Sequence, residues 1–360
     1  MHNIFKIVTF IIFISAYCVV DNSINKCTEF VYEWPLTLDR SRIYHPIYHH
    51  DLLSNQLNTE SEVKGSSIKY RFSTNSLGFK DLLPRDIPLV SSKKRVLVIG
   101  DSFAEGYGLP YEDTFMFDLN IAGEPVNTEF LNASVATYSL SIMYYKLKEL
   151  LEVKGLKFNE VLLFEDISDL QDERIVYSDN GDHVSSYYTQ TFLFIDAINF
   201  FKKYLPTTQY IFNKIYPFTI GPQNEDSAYL QRERSDWTFD EDVWNKTARD
   251  QVPKLTMKMN RIKLLLDKYS IKMTVVVYPW KQQILKKDLH SKQVSIWKNW
   301  CEKNNINFIN LFPEFIEINS DPLSSINSWF FVNDSHWNKK GHFKVGRALI
   351  RQIFKEKTTK

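Results

Sequence analysis

The feature that most constrains this chain is an alternation that begins at Lys94, where short β-branched runs are separated by segments of helical period. Arg95 to Ile99 (RVLVI), Glu129 to Ala133, Val161 to Phe164 (VLLF), Met273 to Val277 (MTVVV) and Ile306 to Phe312 read as strands. Between them, Met143, Leu147, Leu150 and Leu151 share one face of a helix that starts at Ser139 and is capped by Gly155. Leu255, Met259, Ile262 and Leu266 pattern a second helix, and Val345, Leu349 and Ile353 pattern the last. Short strands that are apolar on both faces belong in a parallel sheet covered on both sides, so the expected fold is a three-layer α/β/α sandwich with about five parallel strands.

Some of the chain does not follow the alternation. Residues 174–250 read as a helical insertion over one end of the sheet, whose aromatics (Tyr187, Phe192, Phe200, Phe212) suit either its own core or the lining of a substrate cleft. Residues 23–92 read as an N-terminal extension packing on a main domain at 93–360. Residues 1–22 carry Lys6 and then an uncharged run from Ile7 to Val20, short of the about 17–25 residues that span a bilayer and closer to the apolar part of a secretory signal. Tyr17 before Cys18 makes a poor cleavage site, so an uncleaved tether through residues 4–20 is the other expectation. Export to the periplasm, the medium or a membrane surface is expected; a buried N-terminal helix of a cytosolic protein is the alternative.

The three cysteines, Cys18, Cys27 and Cys301, are too few for a disulfide framework, although a Cys27–Cys301 bridge after export stays open. With 44 Lys and Arg against 43 Asp and Glu, nothing in the charge favours a nucleic-acid partner.

Glycine is scarce, 11 residues in 360, which makes the grouping of Gly78, Gly100, Gly106 and Gly108 informative. It surrounds VLVIGDSFAEGYGL, in which a buried strand delivers Gly100-Asp101-Ser102 to its C-terminal end, where α/β sheets carry their sites. Ser102 fits a nucleophile or a helix-cap serine. Far away, Asn333-Asp334-Ser335-His336-Trp337-Asn338 precedes the last helix, and an Asp and a His two residues apart can pair so that the carboxylate orients the imidazole. His342 competes with His336 as a base but reads better as a packing or capping residue.

Together these two blocks resemble the SGNH/GDSL hydrolase superfamily, and the run from Tyr70 to Asp81 resembles an uncharacterised bacterial subgroup with an N-terminal extension. The resemblance implies a flavodoxin-like fold, Ser102 as nucleophile, His336 as general base and Asp334 as its acidic partner. It also implies an oxyanion hole from the N–H groups of Ser102 and Thr137, with Ser168 standing where the family carries an asparagine. Thr137 replaces the family's glycine. No cofactor and no metal belong to this chemistry. The implied activity is removal of acyl groups, foremost acetyl, from an acylated small molecule or a cell-envelope or secreted glycan. Transfer of an acyl group to a glycan by the same residues, and a non-catalytic glycan-binding or assembly protein with a decayed site, are the alternatives. Two further clusters invite attention. His45, His49, His50 and Asp51 fit packing better than a metal site, having no further ligand at fixed spacing. In the run Asp166, Asp169, Asp172 and Glu173, Asp169 is expected to accept from backbone N–H groups and the others to be solvated.

Overall fold

The computed structural model describes residues 42–63, 68–186, 234–317, 319, 321–332 and 334–355. The N-terminal segment 1–22, Cys27 and the aromatic run from Tyr187 to Phe212 lie outside these residues. Among the described residues no helix is long and apolar enough to cross a membrane.

Five parallel strands form the central sheet: β6 (Lys94–Ile99), β7 (Thr128–Asn132), β8 (Glu160–Glu165), β11 (Lys272–Val277) and β12 (Asn307–Asn310), in the order β12-β11-β8-β6-β7. All four neighbouring pairs are parallel. Chain order reverses at β6, with β7 on one side and β8 on the other, so the crevice beyond the C-terminal ends of β6 and β8 is the topological switch point of a flavodoxin-like sheet. The strands are buried because their Val, Leu, Ile and Phe side chains meet a helix layer on each face. Helix Phe115–Gly123 packs with Lys339–Lys355 in one layer, and Leu140–Lys148 packs with Val252–Lys268 in the other. Helix Lys292–Asn304 covers β11 and β12, and its Trp300 Nε1 donates to Asn260 Oδ1 at 2.9 Å.

Element boundaries differ from the sequence reading for local reasons. The fifth strand stops at Asn310 because Asn310 Oδ1 caps the Phe312 N–H at 2.9 Å and Pro313 opens a helical turn. The helix after Ser139 is α-helical only over Leu140–Lys148 and continues as a π turn through Glu149–Val153. Gly155, at φ +72°, then lets the Leu156 N–H close onto the Leu150 carbonyl. The described start of the 174–250 segment is not helical after Val176. It is an antiparallel hairpin of β9 (Tyr177–Asp179) and β10 (Val184–Ser186), followed after the undescribed stretch by short helical turns over Asp236–Ala248.

Residues 42–92 supply a hairpin of β1 (Arg42–His45) and β2 (His49–Leu52) and a small sheet of β3 (Thr59–Glu62), β4 (Lys69–Thr74) and β5 (Lys80–Asp81). Both sit on the sandwich through buried charges. The Arg42 guanidinium forks onto Glu105 Oε1 and Oε2 at 2.8 and 2.9 Å, and Lys146 pairs with Asp51. Lys80 Nζ donates to the carbonyls of Gly106 and Leu109 at 2.7 and 2.6 Å. Cys301 is buried as an apolar residue, and burial pushes its thiol up to about 12.

Candidate active site

Ser102 opens the helical turn Ser102–Glu105 directly after β6. Asp101 caps this turn, accepting from the Phe103 N–H at 3.0 Å, and Gly106 ends it in the left-handed region at φ +78°. Gly100 is required by close approach, since a Cβ there would lie 2.8 Å from the Cβ atoms of Ala104 and Phe164. As the first residue of the turn, Ser102 has an N–H without an intrahelical partner.

Asp334 and His336 lie in the loop between helix Pro322–Trp329 and helix Lys339–Lys355. Asn338 shapes that loop: its Nδ2 donates to the carbonyls of Ser328 and Phe330 at 3.1 and 3.0 Å, and its Oδ1 accepts from the Gly341 N–H at 3.1 Å. The Phe331 N–H donates to the His336 carbonyl at 3.0 Å. The fold thereby brings His336 to Ser102 across 234 residues, with Ser102 Oγ 2.7 Å from His336 Nε2. His336 Nδ1 lies 2.5 Å from Asp334 Oδ1, which also accepts the His336 backbone N–H at 2.9 Å. A carboxylate can only accept, so Nδ1 carries the proton and Nε2 is left to accept from the Ser102 hydroxyl. Burial alone would raise the Asp334 carboxyl, but the hydrogen bonds it accepts from His336, with the Lys281 charge nearby, hold it below the ordinary range. Phe103 and Tyr107 flank the imidazole, their ring centres 5.0 and 5.2 Å from it.

His342 takes no part in this pairing. It is buried, stacked on Phe115 at 5.6 Å, and its Nδ1 accepts the Phe115 N–H at 3.4 Å. Burial lowers it to about 3, so it stays neutral.

Thr137, an exposed residue in the otherwise largely buried loop after β7, adopts φ +68°, a region that β-branched residues rarely occupy. Its N–H is used in no backbone hydrogen bond among the described residues. Ser168 is differently engaged: it is buried, its N–H donates to Asp166 Oδ1 at 2.8 Å, and its hydroxyl lies 3.4 Å from Asp172 Oδ2.

The acidic run after β8 is not solvated, contrary to the sequence reading. Asp166, Asp169 and Asp172 are buried, and Glu173 accepts from the Ser141 N–H and hydroxyl at 2.6 and 2.9 Å. Asp172 is paired with Arg234 at 2.7 and 3.0 Å. Neither Asp169 oxygen has a hydrogen-bond partner among the described residues, so it holds no backbone N–H group. Burial, reinforced by the charges of Glu165 and Asp166, pushes its carboxyl well above the ordinary range. Tyr278 lies between Asp101 Oδ1 and Asp166 Oδ2 at 3.0 and 2.8 Å. One phenol proton cannot serve two carboxylates. The phenol proton serves one of the two at a time, and burial with the Asp166 charge raises the Asp101 carboxyl well above the ordinary range. Among the described residues no three His, Cys, Asp or Glu side chains are arranged to hold a metal ion.

Three further residues near the pair carry roles that the sequence reading did not assign. Glu105 Oε2 accepts the Ala136 N–H at 2.6 Å, His50 Nε2 lies 2.8 Å from the Ala136 carbonyl, and Asn338 locks the histidine loop. Only the Asn338 position, two residues after His336, was open to recognition.

An open groove of about 1190 Å³ is lined by Tyr70, Phe72 and Glu60 of the extension, by Gly108 and Tyr111 after the nucleophile turn, and by Phe331, whose N–H holds the His336 carbonyl; Ser102 and His336 do not line it. Tyr107, next to Gly108 in the chain, donates to the Glu62 carbonyl at 3.2 Å.

No sequence family and no curated protein matches the chain. Among solved structures it is similar to the psychrotrophic esterase EstA of Pseudoalteromonas sp., at 13% identity over 74% of this chain and 100% of that one, with a TM-score of 0.41. It is similar to the acetylxylan esterase Axe2 of Geobacillus stearothermophilus, at 11% identity over 74% and 96% of the two chains, with a TM-score of 0.42. A member of the lipolytic G-D-S-L family from Veillonella parvula is similar at 12% identity over 73% and 98%, with a TM-score of 0.41. At this degree of overlap the likeness adds nothing to what the chain's own geometry carries.

Proposed function

We propose that this protein is an SGNH-type serine esterase. The observation that carries the reading is the unbroken relay from Ser102 Oγ to His336 Nε2 at 2.7 Å and from His336 Nδ1 to Asp334 at 2.5 Å. As Ser102 Oγ attacks an ester carbonyl carbon, its proton passes to Nε2, and the imidazolium is stabilised by the Asp334 carboxylate, which remains charged. The developing oxyanion takes the N–H groups of Ser102 and Thr137. Collapse breaks the bond to the alcohol oxygen, which receives the Nε2 proton and departs. Water, deprotonated by Nε2, then attacks the acyl-Ser102 and releases the acid. Ser168 is left out of this hole because its hydroxyl faces Asp172.

For the substrate we favour short acyl esters, acetyl foremost, on a glycan. The groove between the extension and the loop after the nucleophile turn supports this, since Asn58, Glu60, Ser61 and Arg71 line it with polar groups beside Phe331, a mixture that suits a sugar chain better than an acyl tail. Replacing Ser102 with Ala and following hydrolysis of a short acyl ester tests the reading. A loss of at least about 10⁴-fold in kcat is expected from removing a nucleophile; undiminished turnover sinks it.

A further inference from the structure

The hairpin of the N-terminal extension reaches one of the two backbone segments on which the proposed oxyanion hole depends. Ala136 is gripped at both ends of its backbone: its N–H donates to Glu105 Oε2 at 2.6 Å, and its carbonyl lies 2.8 Å from His50 Nε2. A carbonyl can only accept, so His50 Nε2 carries the proton. The same Nε2–H lies 3.2 Å from Thr137 Oγ1. The grip is returned, because the Tyr138 hydroxyl donates to the His50 carbonyl at 3.0 Å. No cis peptide bond occurs among the described residues, so the Ala136 carbonyl and the Thr137 N–H point in opposite directions from one rigid plane.

We propose that His50 is a positioning residue of the oxyanion hole: by holding the Ala136 carbonyl it fixes the 136–137 peptide plane and aims the Thr137 N–H at the oxyanion. The inference rests on the serine-esterase reading, in which that N–H is a donor. It accounts for a threonine at a left-handed position, since the side chain that makes φ +68° costly also gives His50 a second acceptor. It also gives the paired histidines a purpose. With Nε2 protonated, His50 Nδ1 must accept, and His49 Nδ1 lies 2.9 Å from it as the donor. Burial lowers His49 to about 4 and holds His50 well below the ordinary range, so both are neutral and the tautomers are set by these contacts. Donation to the Ala136 carbonyl also polarises the amide, which strengthens its N–H as a donor.

The test compares turnover of a short acyl ester with that of its thionoester, whose sulfur is a poor hydrogen-bond acceptor and so draws little from an oxyanion hole. In His50→Ala, kcat per titrated active site for the ester is expected to fall about 10- to 100-fold with KM little changed, and the ester-to-thionoester ratio to fall about tenfold with it. His50→Gln, which keeps a donor, is expected to restore much of both. A protein that is merely less stable loses active sites but keeps the ratio, so an unchanged ratio in His50→Ala overturns the inference. Should His50→Ala not fold, ring ¹⁵N spectra of the unmodified protein decide: a proton on His50 Nε2 is expected, and a proton on Nδ1 alone overturns it. Ser102→Ala is run alongside. Full turnover there removes the esterase reading and this inference together, whereas a dead Ser102→Ala with an unchanged His50→Ala ratio removes only the inference.

Discussion

Thr137 is where residue type and position conflict most. A β-branched residue at φ +68° bears a cost on the order of 1–2 kcal/mol that glycine would not. Thr137→Gly is therefore expected to leave stability equal or higher by up to about 1 kcal/mol, the gain being reduced by the greater freedom of glycine in the unfolded chain and by the lost His50 contact. Its kcat is expected to stay within about threefold, because the N–H remains. Urea unfolding and steady-state kinetics measure both, and a loss of 2 kcal/mol or more, about the scale of a broken buried contact, would count against the backbone account. At this scale the sequence was readable where chemistry dictates residue type. Ser102, His336 and Asp334 stand out because a nucleophile, a base and an orienting carboxylate have few substitutes. Asp166 and Asp172, expected to be solvated, are buried, and Asp169, expected to accept from backbone N–H groups, has no such partner among the described residues, because burial comes from what other segments lay over the run.

Among the elements, the turn after β6 does the most to present the nucleophile. Gly106 ends it at φ +78°, and a Cβ there would lie 2.4 Å from Thr114 Cγ2, so Gly106→Ala meets both backbone strain and a clash. A loss of about 2–4 kcal/mol on denaturant unfolding is expected. Stability unchanged within about 0.5 kcal/mol would mean the turn can relax in a way the geometry does not suggest. The β-branched runs made the central strands legible to within a residue or two, since periodicity and burial agree there. Their ends were less so: the fifth strand stops early because Asn310 caps the following turn, a side-chain decision that hydrophobic pattern does not record. The hairpin at the start of 174–250 was missed for a related reason, being held by pairing between Tyr177–Asp179 and Val184–Ser186 rather than by an apolar face of its own.

At the scale of the molecule, buried titratable groups set the pH dependence of stability. His45 and His49 are lowered to about 4 and His342 to about 3, chiefly by burial. The unfolded chain binds more protons at these sites below about pH 6.5, so they make stability rise with pH until the unfolded histidines are neutral. Asp101, Glu165 and Asp169 act in the opposite sense. Burial raises each well above its ordinary value, the folded state holds the extra protons, and stability falls as pH rises toward their folded values. About one unit above pH 6.5 the unfolded histidines are neutral, their contribution is complete and the acids remain. Tm is expected to decline as pH rises above about 7.5, and Asp169→Asn, which never charges, to flatten that decline. A Tm that climbs through this window in the parent protein would contradict the burial of these carboxyls as charged-form penalties.

The fold as a whole also creates the site, joining the end of β6 to a loop 234 residues further on. No segment of the chain contains the relay; it exists only when the sandwich is closed. The most direct test of the central claim is labelling of the intact folded protein with a fluorophosphonate, with the modified residue located by peptide mass. One label per chain on Ser102 is predicted in the parent protein, and its loss in His336→Ala. No labelling of Ser102, or labelling that proceeds unchanged without His336, would contradict it.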